Sequence, residues 1–153
     1  AMSDVLFINM WTQDVGRYTA SNYHVLKIVF EMNLKLFTQK CEKKIVIILR
    51  DFHPKQYNKE KLREQILRDI ENIWKDIKTP DDNCLISNYF KFDFITLSHK
   101  IYNPDEFEKD VDDLRNKLII GKGNSNYLFE HSTSFEGVPT SGLVEYCSNI
   151  WST

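Results

Sequence analysis

The sequence predicts an α/β domain built on a parallel sheet, and three observations carry that expectation. Short apolar runs of strand length alternate with longer segments whose apolar residues recur at helical spacing, the pattern of strand–helix–strand units with right-handed crossovers. The central run, Ile45-Val46-Ile47-Ile48-Leu49, has no polar break, as expected of a strand buried on both faces. The chain has 153 residues, 42% hydrophobic and 27% charged, which is enough for one domain with a real core. It shows no internal repeat and no linker that would divide it.

Val5 to Asn9 reads as the first strand and runs out in Met10-Trp11-Thr12. A polar turn follows, in which Gly16 is placed to supply a backbone angle that other residues resist. Ser21 to Phe37 reads as a long helix with two apolar stripes, one of Tyr23, Leu26, Phe30 and Phe37 and one of Val25, Val29, Met32 and Leu36. Two stripes predict a helix buried over most of its surface. The central strand ends in Arg50-Asp51-Phe52, and a loop with Pro54 leads to a helix over about Asn58 to Ile77. That helix has a single stripe of Leu62, Ile66, Ile70, Ile73 and Ile77, with Trp74 beside it, and Thr79-Pro80-Asp81 stops it. Phe90 to Leu97 alternates, with Phe90, Phe92 and Phe94 on one side, as a strand near the sheet edge does. Asn103 is expected to cap a helix with Pro104 at its first position and Phe107, Val111, Leu114 and Leu118 as its buried stripe. A last helix starts at Val138-Pro139-Thr140, with Leu143, Tyr146, Cys147 and Ile150 inward.

Composition excludes several classes. A net charge of -2 gives no basic field for nucleic acid or an anionic membrane surface. Glu42-Lys43-Lys44 and the acids from Asp110 to Asp113 read as solvated faces. Cys41, Cys84 and Cys147 match neither a disulfide scaffold nor a zinc pattern, and the four histidines are scattered, so no metal site is expected. No apolar run reaches membrane-spanning length. Gly121-Lys122-Gly123-Asn124-Ser125 misses the phosphate-loop pattern, because position 116 is Asn116 and Gly123 stands where Ser or Thr must follow the lysine. It reads as a helix stop. Ala1-Met2 reads as a cloning remnant, and residues 3–153 as one unit.

In a parallel sheet, ligands bind beyond the carboxyl ends of the strands. Three ends are expected on one rim: Asn9-Met10-Trp11, Arg50-Asp51 and Ser98-His99-Lys100. A carboxylate there offers two acceptors in one plane. Guanine presents two neighbouring donors, so Asp51 can take guanine and reject adenine. Arg50 can hold that acid or stack its flat guanidinium on the base or on a neighbouring ring. The residues leave open the plainer alternative, an Arg-Asp pair that only ends a strand. Acid–base work by His99 with Asp51 lacks an identifiable nucleophile.

The stretch Asn9-Met10-Trp11-Thr12-Gln13-Asp14-Val15-Gly16-Arg17-Tyr18, continued by Asn22-Tyr23 and Asn33-Leu34-Lys35-Leu36-Phe37, closely resembles the root hair defective 3 family of dynamin-like GTPases, counterparts of atlastin. Leu49-Arg50-Asp51-Phe52, Ile73-Trp74, Phe92 to Lys100 and Val138-Pro139 through Ile150-Trp151 fit as well. The resemblance implies a partial P-loop GTPase-like three-layer fold that lacks the phosphate-loop half. It implies that Arg50 and Asp51 are the guanine-recognition motif, with His99 and Lys100 flanking the base. It assigns no catalytic or metal-binding residue to this chain. It implies GTP or GDP as ligand and magnesium in an intact parent, with neither held tightly by this chain alone. It further implies a homodimeric parent anchored on the cytosolic face of the endoplasmic reticulum, where such proteins fuse tubules, joined to the membrane through segments outside this sequence. Surfaces left uncovered are expected to pair with one another. The contrasting expectation is a non-catalytic interaction module that uses the Ser21–Phe37 helix and has no nucleotide site.

Overall fold

The computed structural model describes residues 5–17, 23–36, 43–77, 85–119, 127–129 and 140–152. Three strands form one parallel sheet: β1 (Val5–Trp11), β2 (Lys43–Arg50) and β3 (Phe90–Thr96), in the order β1-β2-β3. The helices are α1 (Tyr23–Leu36), α2 (Lys59–Ile77), α3 (Pro104–Leu118) and α4 (Leu143–Trp151), with 3-10 turns at Thr12–Asp14, Ile86–Asn88 and Thr140–Gly142. The expected α/β order and the parallel sheet are what is found. The first strand runs two residues further than its apolar run, because Met10 still faces the core at 2% exposure.

Side chains of β2 alternate between two faces. Ile45, Ile47 and Leu49 enter one cluster with Ile8, Met10 and Phe90, closed by Tyr23, Leu26 and Phe30 of α1 and by Ile66, Ile70, Ile73 and Trp74 of α2. Aromatic rings fill its middle: Phe30 lies 4.9 Å from Phe90 and edge-on to Trp74 at 5.8 Å. At its margin the Tyr23 hydroxyl donates to Asp69 Oδ2 at 2.7 Å. The opposite face carries a smaller cluster of Val5, Val46, Ile95 and Leu128, with Leu114 of α3 packed against it.

Local capping follows the sequence at α2, where the Lys61 N–H donates to Asn58 Oδ1 at 3.0 Å. Pro104 opens α3 as expected, but Asn103 makes no side-chain cap bond. Its φ of -137° and ψ of 64° lie away from the usual cap geometry. Gly16 has a φ of 85° and a hypothetical Cβ there would touch nothing, so its role is the backbone angle alone.

Four burial expectations are corrected. Only one stripe of α1 is buried; on the other, Val25 and Met32 are exposed, as is Ile28. One helical face reaches the sheet and α2, and of the second stripe Val29 is half-buried against the same cluster. The α3 stripe is half-buried at Phe107, Val111 and Leu114 and exposed at Leu118, because the smaller cluster beneath it is too shallow to take whole side chains. On α4, Leu143 is exposed and Cys147 half-buried. The charged stretch at the start of β2 is not a solvated face throughout: Lys43 is buried, and its N–H donates to the Tyr89 carbonyl at 2.8 Å. The Gly121–Ser125 stretch lies outside the described residues.

Candidate functional site

Sheet register brings the three strand ends together. Trp11 pairs with Arg50 across β1 and β2, and Leu49 pairs with Thr96 across β2 and β3. Trp11 and Arg50 therefore project from the same face at the same level. The Arg50 guanidinium lies over the Trp11 ring, 3.9 Å from its centroid, a close cation–π stack. Thr12 fastens the same corner from behind. Its side chain is buried, and Oγ1 donates to the Arg50 carbonyl at 2.6 Å.

Asp51 leaves the strand abruptly. Its φ of 56° is left-handed, a conformation that Asp tolerates better than most residues. The chain thus turns out of the sheet at the residue after Arg50 and presents the carboxylate at the rim. The turn is secured by two backbone bonds to the third strand end: the Leu97 N–H donates to the Leu49 carbonyl and the Phe52 N–H to the Leu97 carbonyl, both at 2.9 Å.

His99 completes the arrangement. Its Nδ1 accepts from the Ile101 N–H at 3.1 Å and the Tyr102 N–H at 3.3 Å. Those two donors occupy Nδ1 and leave the ring proton on Nε2. Nε2 faces Asp51 Oδ2 at 3.7 Å, with both side chains about one-third exposed. That separation is an electrostatic contact and too long for a hydrogen bond. The His99 ring also stacks on Tyr102 at 4.3 Å. Lys100 goes elsewhere: its ammonium lies over the Phe107 ring of α3, 5.9 Å from the centroid.

Of the four residues singled out from sequence, the structure places Arg50, Asp51 and His99 side by side and turns Lys100 toward α3. Three neighbours join them, of which Trp11 was expected on the rim without a stated role. Trp11 and Thr12 become partners of Arg50 only once the register is known. Asp110 reads as part of an acidic, solvated run, yet it is half-buried and its Oδ2 accepts from the Ser98 N–H at 2.8 Å.

At the rim Trp11 is 40% exposed and the Asp51 and His99 side chains about one-third exposed. A cleft of about 410 Å³ opens elsewhere, at the edge of β3, between Lys59 of α2, Phe94 to Thr96, and Asp110, Asp113 and Lys117 of α3. Its lining does not include Arg50, Asp51 or His99 and carries both acids and lysines. Among the described residues no group of three His, Cys, Asp or Glu side chains could hold a metal ion. No helix of the described residues is long and apolar enough to cross a membrane.

Comparison with known proteins gives the family. Residues 1–153 match the family described as the root hair defective 3 GTP-binding protein GTPase domain. A SEY1 homolog of Trichomonas vaginalis is 39% identical over 99% of this chain, the match covering 19% of that relative. SEY1 homologs of Dictyostelium discoideum and Plasmodium falciparum are each 36% identical over the whole chain, which spans 17% and 16% of their lengths. The chain therefore spans less than a fifth of these relatives. A family match over residues 1–153 leads to one assignment: the chain belongs to the root hair defective 3 family of GTP-binding proteins and matches its GTPase domain.

Proposed function

We propose that this chain carries the base-recognition end of the GTPase domain, with Asp51 as the residue that selects guanine. The observation that carries the reading is the placement of Asp51 at the tip of the central strand, between the Arg50–Trp11 stack and the His99 imidazole. A carboxylate held there accepts two hydrogen bonds from the adjacent donors of guanine, and each is charge-assisted. Adenine offers no matching pair of donors, so its binding leaves the acid unsatisfied. Arg50 orders the pocket from one side and His99 from the other, while Lys100 contributes positive charge nearby rather than a direct contact.

The parent protein, in this reading, binds GTP with magnesium through ligands contributed from outside these residues, and hydrolyses it as part of a dynamin-like cycle. Nucleotide-driven homodimerisation on the cytosolic face of the endoplasmic reticulum then serves membrane fusion and tubule network formation. Support for those wider roles is the family relationship. Support for the base site is the geometry of Asp51.

The test is Asp51→Asn in the intact protein. The amide replaces one acceptor with a donor, which suits xanthine better than guanine. GDP affinity is expected to fall roughly 10- to 100-fold, the range set by losing a hydrogen bond to a charged group, while xanthosine diphosphate affinity rises. Identical GDP and xanthosine diphosphate titrations for variant and wild type would sink the assignment.

A further inference from the structure

We infer that Asp110, on α3, is a positioning residue for the guanine site, acting through the Ser98 backbone and His99. The inference rests on the assignment of Asp51 to guanine and extends it to a residue outside the rim.

Consider what fixes the 97–103 loop. At its start, Leu97 is tied to the sheet through its N–H and its carbonyl. From His99 onward the loop bonds mainly to itself. The Asn103 N–H donates to the His99 carbonyl at 2.8 Å, and the Ile101 and Tyr102 N–H groups converge on His99 Nδ1. This makes a compact unit whose imidazole cannot rotate freely, but none of these bonds sets where the unit sits relative to Asp51. Ser98 is the joint between the tied residue and the self-bonded unit. Its N–H donates to Asp110 Oδ2 at 2.8 Å, twelve residues away. A carboxylate accepting a backbone N–H makes a charge-assisted bond, stronger and more directional than a neutral one.

The two contacts to α3 divide the work. Lys100 over Phe107 is a loose contact at 5.9 Å, whereas Asp110 to Ser98 is short. Losing the short bond frees the joint, and the His99 Nε2–Asp51 Oδ2 distance of 3.7 Å then varies with the loop. Asp51 thereby loses a neighbour that holds its orientation. Asp110 acts on the site through the loop, because its Oδ2 accepts from the Ser98 backbone N–H.

The experiment compares Asp110→Ala and Asp110→Asn in the intact protein, each alone and combined with His99→Ala. Hydrogen–deuterium exchange of the peptide spanning 97–103, in the nucleotide-free protein, is the readout independent of ligand. Asp110→Ala is expected to speed exchange there about tenfold, as loss of one closing bond does, and to leave the β2 peptide unchanged. Asp110→Asn retains an accepting oxygen and is expected to stay within about threefold of wild type. GDP affinity should fall about 5- to 20-fold in Asp110→Ala. In the His99→Ala background the same change should have little further effect, because residues acting through one another are not additive.

Unchanged exchange at 97–103 in Asp110→Ala overturns the inference. So does a loss of GDP affinity as large with His99 absent as with it present, or a faster exchange of β2 to the same degree. If Asp110→Ala does not fold, Asp110→Asn decides: exchange or affinity far from wild type counts against the role. If wild type binds GDP no better than ADP, the guanine assignment fails, and the exchange result still tells whether Asp110 holds the loop.

Discussion

The two faces of the sheet are built differently. The face covered by α1 and α2 is deep and aromatic. Phe30, Trp74 and Phe90 meet there, and Tyr23, Leu26, Ile66 and Ile70 are at most 1% exposed. The other face has a shallow cluster of Val5, Val46, Ile95 and Leu128, covered in part by a half-buried stripe of α3. Strand alternation assigns Ile45, Ile47 and Leu49 to the first face and Val46, Ile48 and Arg50 to the second. The candidate site therefore grows from the shallow face, where Trp11 is 40% exposed and a planar ligand has access. The deep face holds the strands in register, and the shallow face uses that register to set Arg50 on Trp11.

The largest expected effect tests this division. Phe30→Ala empties the middle of the deep cluster and should destabilise by about 3–5 kcal/mol. Leu114→Ala on the shallow face should lose only about 1–2 kcal/mol, since a half-exposed side chain gives up less burial. Both are read as a shift of the urea midpoint at constant slope. Equal losses would erase the distinction between the faces.

Much of this was legible in the sequence, and the exceptions have physical causes. Periodicity revealed β2, α2 and the strand–helix alternation, because burial of a face imposes a repeat. Arg50 and Asp51 stood out because charges cannot follow an apolar run unless the strand ends there. A stack of Arg50 on a neighbouring ring was legible, but not that the ring is Trp11, since that depends on the pairing of Trp11 with Arg50 across strands 39 residues apart in sequence. The second stripe of α1 misled for another reason. Apolar spacing shows that Val25 and Met32 lie along one line of a helix, but not that anything covers them, and here they are exposed. Asp110 was misread because a charge in a charged run looks solvated until a backbone partner appears beside it, and Lys43 because the charged run already belongs to the buried strand β2.

Next in size is Thr12→Val, which sharpens the boundary between the faces at the rim. The buried hydroxyl is replaced by a methyl of similar volume, and the Arg50 carbonyl loses its 2.6 Å donor. Stability should fall by about 1–2 kcal/mol. GDP affinity should fall as well, because Arg50 and Asp51 are anchored through that carbonyl. A stability loss with unaltered GDP affinity would detach the Thr12 corner from the site.

Arg50→Lys is smaller and separates charge from shape. Lysine keeps the positive charge but has no flat group to lie on Trp11. The stack is partly exposed, so about 0.5–1 kcal/mol is expected to be lost from nucleotide binding, with Trp11 fluorescence reporting the change directly. An unaffected GDP titration would mean that only the charge of Arg50 matters, and the register pair would be reduced to a structural contact.

The smallest effect contrasts two acids two residues apart on α3, the helix over the shallow face. Asp112 pairs with Arg115 at 2.7 Å, yet the side chains are 61% and 67% exposed. An exposed pair within a helix contributes little, because solvent screens it and two flexible side chains must be held still. Asp112→Ala should therefore change stability by no more than about 0.5 kcal/mol and leave GDP affinity unaltered. Asp110 differs in what it touches, since its partner is a backbone N–H next to His99. A short distance alone does not rank the two acids; the polar group left without a partner does. If Asp112→Ala weakened GDP binding as much as Asp110→Ala, general loosening of α3 would explain both, and the shallow face would act on the site as a whole layer.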